Sequence, residues 1–117
     1  MKYSLPLIFF LLVSCYLETN KPLIIGEWEM VEWRIVSTGQ EVKGRQMDFD
    51  FNADDTYKVD YGSQTETGEW RVAGNNLFTT EEGMAEKMVK ILKINEDTLK
   101  FEMNRSGRLE HVTLVKE

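Results

Sequence analysis

The feature of this 117-residue chain that most constrains its fold is a strict alternation of apolar and polar residues in several short segments. In QMDFDFN, the apolar Met47, Phe49 and Phe51 alternate with two aspartates. The segments TYKVDY, TGEWRVAG and TLKFEMN show the same period of two. Because successive side chains of a β-strand point to opposite faces, each segment is predicted to be a strand with one buried and one solvated face.

Turns rich in Asp, Asn, Gly and Ser separate the predicted strands at intervals of about ten residues, a spacing typical of all-β sandwiches and barrels. The eight predicted strands span residues 27–37, 46–52, 56–61, 67–73, 76–81, 87–95, 98–104 and 108–116. Short connections favour antiparallel pairing as a meander, with a longer loop around Gly83. Closure into a barrel would bury the apolar face of every strand and remove exposed sheet edges. We therefore predict an all-β, single-domain, eight-stranded meander barrel.

The first predicted strand carries apolar side chains on both of its faces. Trp28 and Met30 share one face, whereas Val31, Trp33 and Ile35 share the other. A β-bulge near Met30 would reverse the alternation and let the strand bend between the two halves of a barrel. The alternative is a long strand that is buried on both sides.

Charge and cysteine content exclude several classes of function. The formal net charge is -6, which repels nucleic acid and anionic headgroups, so we expect no nucleic-acid partner. The chain contains one cysteine, which excludes an intramolecular disulfide. Burial and sheet hydrogen bonds must therefore stabilise the fold.

The N-terminus has the layout of a secretory leader, with Lys2 followed by an apolar run from Leu5 to Val13. The run is shorter than the ~20 apolar residues that a membrane span needs. Its end, LVSC, resembles the lipobox of bacterial lipoproteins, where a peptidase cuts before a cysteine that is joined to diacylglycerol. This resemblance implies a signal peptide over 1–14, a lipidated Cys15 with a short tether over 15–22, and a folded domain over 23–117. An ordinary cleavable leader with a chance cysteine is the alternative.

The same resemblance implies a place in the cell. Lipoproteins of this kind are similar to cell-envelope proteins of Gram-negative bacteria, and two or more acyl chains hold a protein stably on a membrane. Tyr16 stands where an aspartate commonly signals retention in the inner membrane. We therefore expect an outer-membrane lipoprotein that faces the periplasm, with the membrane as its partner.

The tripeptide Gly-Glu-Trp occurs twice, at residues 26–28 and 68–70. A glycine two residues before a tryptophan lies on the same strand face, where it leaves room for the indole or for a neighbouring strand. The first copy resembles the G-x-W motif that opens the first strand of lipocalins, where the tryptophan closes one end of the barrel. We interpret the two copies as two structural positions in one barrel.

The surroundings of the second copy resemble a narrower family. FDFNADDTYKVDYGSQTETGEWRVAGNNL is similar to the pattern F-x-F-x-x-D-G-T-Y … G-x-W-x-x-x-x-N-x-L of small lipocalin-like domains in Bacteroidota lipoproteins. The matching positions are Phe49, Phe51, Asp54, Thr56, Tyr57, Gly68, Trp70, Asn76 and Leu77. Asp55 departs from the pattern, because the family often has glycine there. The resemblance covers roughly residues 23–117 and implies a small β-barrel behind a lipid anchor, with no assigned ligand.

Residues suited to catalysis are scarce, so we expect neither enzymatic activity nor a cofactor nor a metal. The only histidine, His111, would point into the barrel if Leu109 and Val115 did, and outwards if Val112 and Leu114 faced the interior. The acidic stretch DFDFNADD could offer oxygen ligands to calcium. However, two of its aspartates alternate with phenylalanines, as on a solvated strand face, and the other two lie in a turn.

The remaining candidate site is the barrel interior, which can be filled by its own side chains or can hold one small ligand. Aromatic and methionine linings suit a flexible apolar or amphipathic ligand, but the same residues also form ordinary cores. The inward residues proposed as ligand contacts are Trp28, Met30, Phe49, Phe51, Tyr57, Trp70, Phe101 and Met103, with Val59, Val72 and Leu99 beside them. The alternative is a filled barrel that serves as a protein-interaction or assembly module of the envelope, with an unidentified protein partner.

Replacement of Cys15 by serine tests the predicted anchor. Cys15→Ser should abolish labelling with palmitate and move the protein from the detergent phase to the aqueous phase in detergent phase separation, because the acyl chains supply the membrane affinity. A variant that still partitions with membranes would contradict lipidation.

Overall fold

The computed structural model describes residues 20–117, which form a closed barrel of eight antiparallel strands preceded by one short helix. Helix α1 spans Lys21–Ile24, and the strands are β1 (Gly26–Ile35), β2 (Asp48–Phe51), β3 (Thr56–Asp60), β4 (Thr65–Ala73), β5 (Asn76–Glu81), β6 (Lys87–Ile94), β7 (Thr98–Arg105) and β8 (Arg108–Lys116). Each strand pairs with the next in sequence, and β1 also pairs with β8. The predicted all-β meander barrel is therefore confirmed.

The connections confirm the meander but correct one detail of the prediction. The connection around Gly83 covers residues 82–86, whereas the connection between β1 and β2 covers residues 36–47 and is longer. Backbone hydrogen bonds fold this β1–β2 loop back onto β1, from Val42 N to Trp33 O at 2.7 Å and from Ile35 N to Gln40 O at 2.9 Å. The loop therefore covers one end of the barrel.

The predicted bulge in β1 is present. The register between β1 and β8 shifts between Met30 and Glu32, which leaves Val31 as the extra residue with 52% of its surface exposed. Trp28 and Trp33, on either side of the shift, are both buried. Alternation alone would have grouped Val31 with Trp33, but the bulge turns Val31 out to solvent and Trp33 into the barrel.

Helix α1 seals one end of the barrel, which we call the closed end. The Trp28 indole N–H donates a hydrogen bond of 2.8 Å to the carbonyl of Ile24, a residue with 0% exposure. Lys116 Nζ donates to the carbonyls of Leu23 at 3.1 Å and Ile25 at 2.8 Å, and lies 4.7 Å from the centre of the Trp28 ring. These contacts satisfy helix carbonyls that would otherwise lack partners, and they combine hydrogen bonds with a cation–π contact.

The glycines of the two Gly-Glu-Trp copies make room for different groups. A Cβ on Gly26 would lie 2.6 Å from Cε of Lys116, so the lysine stem passes where a side chain would be. A Cβ on Gly68 would lie 2.0 Å from the backbone oxygen of Thr80, so β4 and β5 approach each other closely there. Room for a neighbouring strand is therefore confirmed at Gly68, whereas at Gly26 the space accommodates a lysine side chain of β8 rather than an indole.

The interior of the barrel contains a single apolar cluster, to which every residue of the predicted inward set belongs. The buried members of that set are Trp28, Phe51, Tyr57, Val59, Trp70, Leu99 and Phe101, and the partly buried members are Met30, Phe49, Val72 and Met103. Core residues outside that set are Ile24, Trp33, Met47, Leu77, Ile91, Val112 and Leu114.

Substitution of Gly68 tests the close approach of β4 and β5. A strand glycine replaced by alanine ordinarily gains stability through the unfolded chain, but here the new methyl group would collide with backbone. Gly68→Ala should lower the free energy of unfolding by about 1–3 kcal/mol, measured by urea denaturation. Glu69→Ala, at the exposed neighbouring position, is the control and should change it by less than about 0.5 kcal/mol. A Gly68→Ala protein as stable as the parent would contradict this packing.

Candidate functional site

A cavity of about 610 Å³ opens at the end of the barrel opposite α1, which we call the open end. The loops or turns at residues 36–47, 61–64, 82–86 and 106–107 lie at this end of the barrel. Its lining residues are Trp33, Arg45, Met47, Tyr61, Lys87, Met88, Val89, Met103, Asn104 and Arg105. We call this cavity the open-end pocket. Its volume lies within the roughly 300–1,000 Å³ typical of small-molecule sites.

The apolar wall of the pocket comes from three strands and the β1–β2 loop. The bulge in β1 turns Trp33 inwards, alternation places Val89 of β6 and Met103 of β7 against the core, and the folded-back loop buries Met47. Trp33 and Met47 are each 5% exposed. Since methionine side chains are flexible and polarizable, this wall can adapt to the shape of an apolar group.

At the open end, one buried carboxylate accepts hydrogen bonds from three side chains. Glu110 has 0% exposure; its Oε1 accepts hydrogen bonds from Trp33 Nε1 at 2.8 Å and Arg105 Nη1 at 3.2 Å. Its Oε2 accepts bonds from Arg108 Nε at 2.7 Å and Nη2 at 2.6 Å. Burial by itself raises the pKa of Glu110, but the hydrogen bonds from Trp33, Arg108 and Arg105 outweigh it and hold the pKa below its usual value. The carboxylate is therefore ionised at neutral pH, and it fixes the Trp33 side chain as a wall of the pocket.

The β7–β8 hairpin explains how these charges meet. Ser106 and Gly107 form its two-residue turn with φ angles of +56° and +87°, which matches the tight turn that suits a twisted hairpin. Arg105 pairs with Arg108 across the turn, and Glu110 pairs with Met103. The predicted strands over 98–104 and 108–116 left residues 105–107 for this turn, but the sequence analysis did not identify Glu110. The available signal was an arginine on each side of the turn, with a glutamate two residues beyond.

A second polar cluster lies on β3 and β4. The hydroxyl groups of Tyr57 and Tyr61 both donate to the carboxylate of Glu66, the latter at 2.8 Å. Burial, followed by the hydrogen bond to Glu66, raises the pKa of both tyrosines. Both phenols therefore remain protonated donors, and Tyr61 adds a polar edge to the pocket.

The structure separates the residues that the sequence analysis proposed as ligand contacts. Met103 lines the open-end pocket, whereas the others lie elsewhere in the interior cluster. Trp28, Phe51, Tyr57, Trp70 and Phe101 are no more than 3% exposed, and Met30 and Phe49 are partly buried against them. The aromatic rings pack on one another; for example, the Phe51 and Trp70 centroids are 5.2 Å apart. The barrel is thus filled in one part and open in another, and the sequence analysis missed Trp33, Met47 and Val89 as pocket residues.

The structure resolves the orientation of the only histidine. Val112 and Leu114 face the interior, so His111 lies on the outer face, with Nε2 at 2.9 Å from Glu102 Oε2. Within residues 20–117, no group of three or more His, Cys, Asp or Glu side chains is arranged to hold a metal ion. Asp55, which replaces the common family glycine, has a φ of +70° and pairs with Lys21 at 2.6 Å.

Charge removal at Glu110 provides a test of the buried cluster. The pKa of Glu110 is lower in the folded than in the unfolded protein. Ionisation of Glu110 therefore stabilises the fold at pH values above the pKa of the unfolded state. This stabilisation is lost as the pH falls through the pKa of the folded state. Glu110→Gln should cost about 1–3 kcal/mol at pH 7. The difference in melting temperature between parent and variant should shrink as the solution is acidified below about pH 4.5. Glu69→Gln, at an exposed position, serves as the control, and a difference that is constant with pH would contradict this role.

Comparison of the fold with solved structures finds similar folds in proteins from Bacteroides. A lipocalin-like protein from Bacteroides uniformis superposes with a TM-score of 0.64 at 12% identity, over 80% of this chain and 98% of that one. An uncharacterized protein from Bacteroides eggerthii gives a TM-score of 0.61 at 11% identity, with the same coverage of 80% and 98%. At such low identity these similarities establish the fold alone.

Sequence comparison identifies the family. No curated protein matches the chain significantly. The sequence profile of the lipocalin-like domain, in contrast, matches residues 24–101, which include α1's last residue, strands β1–β6 and the first half of β7. Because this match covers well over half of the chain and agrees with the closed eight-stranded barrel, the protein belongs to the lipocalin-like domain family.

Proposed function

We propose that this protein is a lipid-anchored protein of the cell envelope that binds one small apolar or amphipathic molecule in the open-end pocket. The observation that carries the proposal is the pocket itself, a cavity of about 610 Å³ with an apolar wall that includes Trp33, Val89 and Met103. The packed interior beneath it supplies a rigid floor, so the ligand enters from the open end. We expect its apolar part to lie against this wall and its polar part to lie at the mouth.

The anchor part of the proposal rests on the lipobox resemblance. Cys15, the signal peptide over 1–14 and most of the tether over 15–22 lie outside the described residues. At the end of the tether, Asn20 Nδ2 donates to the carbonyl of Gly74 at 2.8 Å, and Lys21 pairs with Asp55. Within residues 20–117, no helix has the length and apolar character of a membrane span.

This attachment would orient the barrel on the periplasmic side of an outer membrane. The five residue steps from Cys15 to Asn20 reach at most about 18 Å. Because Asn20 and Lys21 contact the closed end, a lipid on Cys15 would keep that end towards the bilayer and turn the pocket away from it. The ligand would then enter and leave the pocket from the aqueous periplasm. The proposed role is that of a binding protein, with no catalytic activity.

A small apolar patch supports the second candidate function, a protein-interaction or assembly module. Val36 and Leu109 are 44% and 39% exposed at the open end, and Val36 N donates to the Leu109 carbonyl at 3.0 Å. A protein partner that binds there would cover the patch and the rim of the pocket together. In that case the pocket would bind no small molecule.

Binding of the neutral fluorescent probe N-phenyl-1-naphthylamine tests the proposal. The full-length protein is held in a zwitterionic amphipol, so that no small detergent competes for the pocket. We expect saturable binding of one probe per chain. Val89→Trp should abolish it, because Val89 points into the pocket, and Lys90→Trp, on the outer face of the same strand, should preserve it.

Near-ultraviolet circular dichroism verifies that both variants are folded, and Met103→Trp provides a second way to fill the pocket. Equal binding by the parent and by both pocket variants would exclude the open-end pocket as the site. A folded parent that binds no probe would favour the assembly function.

A further inference from the structure

The polar rim of the open-end pocket carries one sign of charge. Three of its lining residues, Arg45, Lys87 and Arg105, are cationic, and no Asp or Glu side chain lines it. This arrangement contrasts with the whole chain, whose formal net charge is -6. The pocket is therefore a local positive region on an acidic protein.

Two of these cations are not neutralised by the protein. Among residues 20–117, Arg45 and Lys87 form no ion pair, whereas Arg105 shares Glu110 with Arg108. Two arginines opposite one carboxylate leave this cluster positive as well. Arg45 and Lys87 are both exposed at the mouth, so an anionic group could reach them without the cost of burying either charge.

Apart from Glu110, which Arg105 and Arg108 pair with, two carboxylates near the open end do not line the pocket. Glu66 of β4 accepts hydrogen bonds from two tyrosines, and Glu81 of β5 lines a separate cavity together with Tyr57 and Gly68. The positive wall, in contrast, is formed by the β1–β2 loop, the start of β6 and the end of β7. Positive charge is thus concentrated where the apolar wall reaches solvent.

We propose that the ligand of the open-end pocket is an anionic amphiphile, with an apolar chain against Trp33 and Met103 and a carboxylate or phosphate-monoester head at Arg45 and Lys87. This inference rests on the proposed function, because it specifies the chemistry of the molecule in the same pocket. Charged hydrogen bonds between arginine or lysine and such heads are stronger than neutral ones. A cleft lined by one sign of charge also raises the local concentration of the opposite ion.

A competition assay tests this inference. It measures how well molecules with the same twelve-carbon chain and different head groups displace N-phenyl-1-naphthylamine from the full-length protein in amphipol. The competitors are dodecanoate, dodecyl phosphate, dodecanol and dodecyltrimethylammonium. We expect at least one of the two anions to displace the probe at a lower concentration than the alcohol, and the cation to be the weakest. The better of the two anions identifies the head as a carboxylate or a phosphate ester.

Two double variants with the same change of net charge test whether the preference for an anionic head group comes from the cations of the pocket. Arg45→Gln/Lys87→Gln removes the unpaired cations of the pocket, and Lys43→Gln/Lys90→Gln removes two exposed cations that do not line it. The first should weaken binding of the preferred anion about fivefold to tenfold, as expected for two partly exposed ion pairs, and leave dodecanol unchanged. The second should leave both unchanged.

Equal displacement by dodecanol and by both anions would overturn the inference, and so would equal losses in the two double variants. In either case, saturable probe binding that Val89→Trp abolishes would leave the proposed pocket function intact. Absence of probe binding to the folded parent would instead remove the proposed function itself.

Discussion

Closure of the barrel depends on β1, which must hydrogen-bond to β2 on one side and to β8 on the other. β1 pairs with β2 only over Gly26–Trp28, whereas its pairing with β8 continues to Ile35. The bulge at Val31 lets one strand serve both neighbours, because an extra residue bends the strand and reverses its facing. Without that reversal, Trp28 and Trp33 could not both lie in the interior. Both ends of the barrel therefore depend on this single irregularity.

The two tryptophans of β1 organise opposite ends of the molecule by different means. Trp28 is held at the closed end by the carbonyl of Ile24 and by the ammonium group of Lys116. Trp33 is held at the open end by the buried carboxylate of Glu110, which two arginines neutralise. The first arrangement seals the barrel against solvent. The second places a fixed aromatic wall beside a cavity and leaves cationic groups at its mouth.

This division explains how so small a barrel can be stable and still contain a pocket of the size of small-molecule sites. The aromatic core around Phe51 and Trp70 fills the part of the interior nearer α1, and such packing supplies most of the burial that stabilises a fold without disulfides. The open-end pocket is formed where the strands leave this core, and its adaptable wall includes Met47 and Met103. Under the proposed function, a lipid on Cys15 would place the filled end nearest the membrane and leave the pocket facing the periplasm.

The amino-acid sequence by itself determined the all-β class, the approximate strand positions and the inward faces of five strands, because alternation of side chains is a local property of a strand. It also pointed to a bulge near Met30, as one of two explanations for the two apolar faces of β1. It also indicated the family, through Gly26-Glu27-Trp28 and the residues around Trp70. Only the tertiary structure decided which inward residues fill the barrel and which line a pocket, since that depends on the depth of each residue along the barrel axis. Arg45, Lys87 and Arg105 line one pocket from three separate parts of the chain, and no local pattern in the sequence marks such a meeting. For the same reason, the open-end pocket follows from the closure of the barrel rather than from any single motif.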